Sequence, residues 1–207
     1  METEYVFNLC GGALCLDLSN TLNGRLEPVQ RERLESYRDL LSWSRQAGLL
    51  SEREARALAR EAERRASEAE HVLAQARSLR EAVYSIFSAL AEGKRPPRGD
   101  LHALNALLTR AMAQLELREA EGRFTWRWRD EGDRVALDRM LWPVVRSAAD
   151  LLTSPDHNQV RICAAEDCAW LFLDSTRNRS RRWCDMSECG NRAKARRFYR
   201  RKKASPS

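Results

Sequence analysis

Cys163-Ala-Ala-Glu-Asp-Cys168, fifteen further residues, then Cys184-Asp-Met-Ser-Glu-Cys189 is the stretch on which the reading of this chain turns. Two cysteine pairs with the same four-residue spacer face each other across a loop, and only Cys10 and Cys15 lie outside them. A thiolate is a soft ligand, and four of them close a tetrahedral site for Zn²⁺. The spacers exceed the commonest two-residue knuckle, yet they still allow a turn that aims both sulfurs of a pair at one ion. A four-cysteine site is saturated by protein, so one structural zinc on Cys163, Cys168, Cys184 and Cys189 is expected. Two disulfides or four buried thiols are the competing readings. The acidic start Met1-Glu2-Thr3-Glu4 lacks the pattern of an export signal, which predicts a cytoplasmic chain. Disulfides rarely persist in that compartment, so zinc is favoured.

Working outward, the same stretch is strongly cationic. From Arg177 to Lys203 the basic residues are Arg177, Arg179, Arg181, Arg182, Arg192, Lys194, Arg196, Arg197, Arg200, Arg201, Lys202 and Lys203, and the acids are Asp185 and Glu188. Twelve cations less two anions leave +10 here against +6 for the whole chain, so the remainder is net −4. A compact cationic module on an acidic body is the footprint expected for binding a polyanion.

Local patterns predict how that module folds. Val160 to Cys163 and Trp170 to Leu173 should pair as strands with the first two cysteines in the turn between them. Trp170 and Phe172 alternate with Leu171 and Leu173, so one face can cover the metal while the other meets the body. Ser187 is a candidate N-cap for a helix carrying Cys189 in its first turn and running to about Lys203. The arrangement resembles a treble-clef or ribbon finger. On the helix Arg192, Arg196 and Arg200 share one line, beside a face holding Asn191, Ala195, Phe198 and Lys202. Arg177, Arg179, Arg181, Arg182 and the last four cations, Arg200 to Lys203, are expected to contact phosphates. Asn191 and Arg192 could read bases or bond back across the zinc turn. Phe198 and Tyr199 are expected to pack against the finger.

The upstream chain reads as a mainly helical body, rich in Ala, Arg and Glu. Residues 8–22 hold a Gly11-Gly12 turn and a short helix whose Leu14, Leu18 and Leu22 share a face. Asp17, Asn20 and Thr21 form a polar stripe there, either a packing network or the lining of a pocket. Cys10 and Cys15 read as small buried hydrophobes. Residues 31–47 predict an amphipathic helix stopped at Gly48, and Ser51 to Glu54 a capping box opening the next. One or two helices carry the pattern through Leu90. Asp100 is a candidate cap for the helix beyond Pro97. Leu115 to Trp128 alternates with period two, predicting a β-hairpin whose aromatic face packs on the helices. Asp138 to Leu152 predicts a last helix kinked at Pro143. Arg146 and Asp150 share a face of it, either as an internal pair or with Arg146 as a fork for a small anionic effector. Thr153 to Asp156 reads as a hinge, giving domains over 1–155 and 156–207.

Cys189-Gly190-Asn191-Arg192, with the upstream cysteines and the following Ala193-Lys194-Ala195-Arg196-Arg197, resembles the CGNR zinc-finger family. Gly11 to Thr21, and Leu141 to Leu152, resemble the ABATE domain that usually precedes that finger. The resemblance implies a stress-induced transcription regulator that binds double-stranded DNA; it supplies neither effector nor target. A short single finger reads few base pairs, so a homodimer is expected, and Asp17, Asn20, Thr21 and Arg146 are the candidate effector residues. An RNA-binding or ribosome-associated zinc protein is the alternative. An enzyme is not expected, since no phosphate-binding Gly loop, nucleophile elbow or metal-hydrolase helix is present. No apolar run approaches a membrane span.

Overall fold

The computed structural model describes residues 4–129 and 135–204; the side chains of residues 201 and 204 are outside that description, as is the acidic start at 1–3. In chain order the body holds α1 (Leu14–Ser19), β1 (Leu22–Asn23), β2 (Arg31–Glu32), α2 (Tyr37–Gln46), α3 (Glu52–Arg64), α4 (Ala66–Ala91) and α5 (Arg98–Met112). A hairpin of β3 (Leu115–Ala120) and β4 (Arg123–Trp128) leads to α6 (Leu141–Thr153). A short 3-10 turn over Pro155–Gln159 then enters β5 (Val160–Ile162), β6 (Leu171–Leu173) and α7 (Asn191–Ala204). The fold is mainly α with small antiparallel hairpins, as the patterning predicts.

Serine chemistry sets the starts of α2 and α3. Ser36 and Ser51 each accept a hydrogen bond from the N–H of the third helical residue, Asp39 or Glu54, whose carboxylate in turn accepts from the serine N–H. Two otherwise orphan donors are thereby satisfied at each end. Gly48, at φ +73°, closes α2, and the Leu49 N–H reaches back to the Ser44 carbonyl at 2.9 Å. The left-handed turn demands glycine. The helix expected over 31–47 is shorter at its start. The Glu32 carboxylate accepts from the Arg33 and Leu34 N–H groups and is gripped by Arg80 at 2.6 and 2.8 Å, which holds 31–34 out of helical conformation.

Two helices, not one, carry the long pattern: Arg65, at φ −127° and ψ 49°, separates α3 from α4. The 26-residue α4 is the spine. Val72, Leu73, Ala76, Leu79, Val83, Ile86 and Phe87 recur every three or four residues and are buried. Helices α1, α2, α3, α5 and α6, and strands β5 and β6, all lie against it. Each large apolar side chain so buried contributes about 1.5–3 kcal/mol.

Three expectations need correction. Asp100 does not cap α5, which begins at Arg98 after Pro97; it lies in the first turn and takes the Ser85 hydroxyl at 2.5 Å. Helix α6 begins at Leu141, so Pro143 falls in its first turn, where a missing N–H removes no helical bond and the reason for a kink disappears. The β3–β4 hairpin forms as predicted, with Leu117 opposite Trp126, but its aromatic face is mostly wet. Trp128 packs on the body, its ring 5.9 Å from Trp142, while Phe124 and Trp126 are 75% and 56% exposed, with the Arg146 guanidinium over the Trp126 ring. Among the described residues, no helix is long and apolar enough to cross a membrane.

Candidate metal centre and cationic surface

The alternation in Trp170 to Leu173 divides the β5–β6 hairpin between two environments. Phe172 and Trp170 pack with Cys163, Cys168, Cys184 and Cys189, while Val160 and Leu171 belong to the core of the body. The strands pair antiparallel, Arg161 opposite Phe172, and the Cys163 N–H bonds the Trp170 carbonyl at 2.8 Å where the knuckle begins. Of the second pair, Cys184 lies just before a single π turn, Met186–Gly190, and Cys189 lies within it; the turn is continuous with α7. Asp185, rather than Ser187, caps that turn, accepting from the Ser187 and Glu188 N–H groups. Its carboxyl is held down to about 2 by bonds from Ser187 and from the Asn8 side-chain amide.

The four Sγ atoms lie within 4.8 Å of one another and all four cysteines are buried. Cys184 is 3.7 Å from Cys168 and 3.6 Å from Cys189, sulfur to sulfur, and no cysteine forms a disulfide. A tetrahedron with Zn–S of about 2.3 Å has edges of about 3.8 Å, so the donor set fits one zinc ion. The site is closed by protein, and the ion it can bind is structural. Four thiolates on Zn²⁺ leave a formal charge of about −2. Arg192 offsets it from one side, its Nη2 3.1 Å from Cys189 Sγ. Arg181 braces the other, donating to the carbonyls of Trp183, Cys184 and Cys10 and lying 4.5 Å above the Phe172 ring. Such outer bonds orient metal ligands.

The Gly11 to Thr21 motif is built against this finger. The Leu173 N–H bonds the Gly11 carbonyl at 2.8 Å, and the Asn20 amide both accepts from the Leu171 N–H at 2.9 Å and donates to the Leu171 carbonyl at 2.8 Å. Asn20 thus stands in for a neighbouring strand on the open edge of β6. Gly12, at φ +78°, lets the backbone approach: a Cβ there would sit 3.2 Å from that of Leu173. The Trp170 indole adds a bond to the Leu22 carbonyl at 3.1 Å. Cys15 is fully buried in the body, whereas Cys10 packs beside the cysteine cluster.

The four candidate effector residues are therefore engaged in packing and surface pairs, and they line none of three surface clefts found among the described residues. Asp17 accepts the Gly11 N–H at 2.8 Å, and burial pushes its carboxyl up to about 6. Thr21 bonds the Leu18 carbonyl at 2.8 Å. Arg146 lies 3.5 Å from an exposed Asp150 and over the Trp126 ring, a surface pair in place of the internal one expected.

The cations fall into two groups. Asn191 bonds back to the Ser187 carbonyl at 2.9 Å, and Arg192 to Cys189, so both serve the zinc turn. Arg196 and Arg200 meet Asp167 and Glu166 of the knuckle, each at 2.7 Å. Arg181 is internal. Arg177, Arg179, Lys194, Arg197, Lys202 and Lys203 are exposed and have neither a side-chain hydrogen bond nor an ion pair among the described residues, and Arg182 lies over the Trp183 ring. The Arg201 side chain is outside them. Phe198 and Tyr199 do not pack on the finger; both are 64% exposed, meeting each other edge-on at 5.7 Å. Sequence reasoning missed Glu166 and Asp167, although two acids inside the knuckle opposite an arginine every fourth residue were a usable signal.

Residues 12–155 match a family model, ABATE, described as "Putative stress-induced transcription regulator", and residues 159–202 match the CGNR zinc finger model. No curated protein matches the chain.

Proposed function

We propose that this chain, which belongs to the ABATE family and carries a CGNR zinc finger at residues 159–202, is a zinc-dependent, duplex-DNA-binding transcription regulator. One observation carries this reading: the finger stretch is net +10 on a remainder of −4, and a buried four-cysteine cluster fixes it in shape. Fixed cations displace the counterions of a polyanion without paying to order themselves at that moment. The zinc supplies shape and no chemistry on a substrate, and the protein carries out no reaction. In this reading residues 1–155 form the body and 156–207 the DNA-contacting part, working in the cytoplasm. One short finger contacts few base pairs, so two copies act on a two-fold site.

Binding of the zinc-loaded chain to duplex DNA and to structured RNA across a salt series tests this. A regulator shows a sequence-dependent component on DNA that survives as the salt-sensitive one fades. Tighter binding to structured RNA with no DNA preference sinks the reading and favours the RNA-associated alternative.

A further inference from the structure

Duplex binding by the finger leaves open which side of α7 meets phosphate. Arg192, Arg196 and Arg200 run along one line of the helix, and all three face the zinc knuckle. Arg192 and Arg196 lie 3.5 and 2.7 Å from Asp167, and Arg200 lies 2.7 and 2.9 Å from the two oxygens of Glu166. A cleft of about 290 Å³ separates knuckle and helix, lined by Ala164, Ala165 and Ala193 between the charged groups. Little apolar packing helps to hold α7 down, because Phe198 and Tyr199 are both 64% exposed. The angle of the helix therefore depends on its continuity with the zinc turn and on these ion pairs.

Lys194 stands roughly 200° round the helix from Arg192, whereas Arg197, at roughly 140°, is a lateral residue that also borders the cleft. Neither is held by a hydrogen bond or an ion pair among the described residues. The same is true of the Arg177 and Arg179 side chains on the loop before the second cysteine pair. A cation already neutralised by an internal carboxylate releases little counterion when a phosphate arrives, whereas a free one releases nearly a full ion. Building on the duplex-binding reading, we propose that DNA phosphates meet the unpaired cations of α7, Lys194 on its outward side and Arg197 at the rim of the cleft, together with Arg177 and Arg179. Glu166 and Asp167 turn the inward three arginines into a clasp that sets the tilt of the helix on the metal-bound knuckle.

The test uses the full zinc-loaded chain and a short mixed-sequence duplex, with affinity measured over about 50–200 mM potassium chloride. Lys194→Gln/Arg197→Gln should lower the slope of log K against log salt by about 2, near 0.9 per lost contact. Arg196→Gln/Arg200→Gln should keep the wild-type slope and instead speed amide hydrogen exchange along α7 in the unbound protein. Glu166→Gln/Asp167→Asn cuts the same pairs from the other side and should speed that exchange too. A slope loss near 2 in Arg196→Gln/Arg200→Gln overturns the assignment of contacts. Unchanged α7 exchange in both clasp variants overturns the clasp. Wild-type protein without salt-dependent duplex binding refutes the regulator reading and takes the phosphate-contacting surface with it, while the exchange data still judge the clasp.

Discussion

Replacing Asn20 by alanine removes one amide and strands two backbone groups. Asn20 is 3% exposed, and its amide bonds the Leu171 N–H at 2.9 Å and the Leu171 carbonyl at 2.8 Å. Both groups point away from β5, out of the open edge of β6, and among the described residues no other strand lies there to take them. A buried donor or acceptor left without a partner costs about 1–3 kcal/mol, so the pair costs about 2–6 kcal/mol. A middle value of about 4 kcal/mol corresponds to a fall in Tm of about 8–16 °C for a chain of this size. Urea unfolding of the zinc-saturated protein, followed by circular dichroism, reads the loss directly. Asn20→Asp supplies the control: it keeps an acceptor for the N–H but sets an oxygen against the Leu171 carbonyl, and should do no better than alanine. A loss below about 1 kcal/mol for Asn20→Ala would refute the argument that this side chain closes the sheet edge.

Three further outcomes are expected. Because Val160 and Leu171 sit in the core of the body, stripping zinc with a chelator should lower the helical and tryptophan transitions together; loss of the tryptophan signal with an unmoved helical transition would contradict this. Asp17, whose carboxyl is raised by burial from 3.8 to about 6, binds its proton more tightly folded than unfolded, so stability should grow as pH falls from about 6 toward 4. Asp17→Asn should then stabilise the neutral-pH protein by up to about 3 kcal/mol and flatten the pH profile in that window, and an unchanged profile counts against it. Arg181→Gln, by releasing the carbonyls of Trp183, Cys184 and Cys10, should weaken zinc roughly 10- to 100-fold in chelator competition. It should leave the salt slope for DNA alone; a slope change with intact zinc affinity would return Arg181 to the phosphate-contacting set.

Much of this was open to reading because the signals were local. Cysteine spacing, the two serine capping boxes and the alternation through Trp170 and Leu173 each depend on neighbours within a few residues. What escaped depends on distant partners. Nothing near Asn20 announces that its amide will meet residue 171, so its place in a polar stripe left a pocket open beside the favoured packing network. Arg196 and Arg200 read as nucleic-acid contacts because a helical wheel shows which residues align without saying what they face. Asp17 to Thr21 and Arg146 looked like one constellation, yet the former turn to the finger and the helix backbone while Arg146 turns to solvent. Phe124 and Trp126 carry the pattern of a packed face, but both rings stay largely exposed and it is Trp128, at the base of their hairpin, that packs on α6.

The β5–β6 strands spend one face on the metal and the other on α4, and this bears on any attempt to dissect the molecule. Scissors placed at 155/156 would tear a hydrophobic seam instead of snipping a tether. The upstream fragment would be left with bare apolar flank and a dangling Asn20, and should aggregate; the downstream fragment would keep its ion but show Leu171 and Val160 to water. Work on either half is therefore better done by point substitution within the intact polypeptide than by truncation.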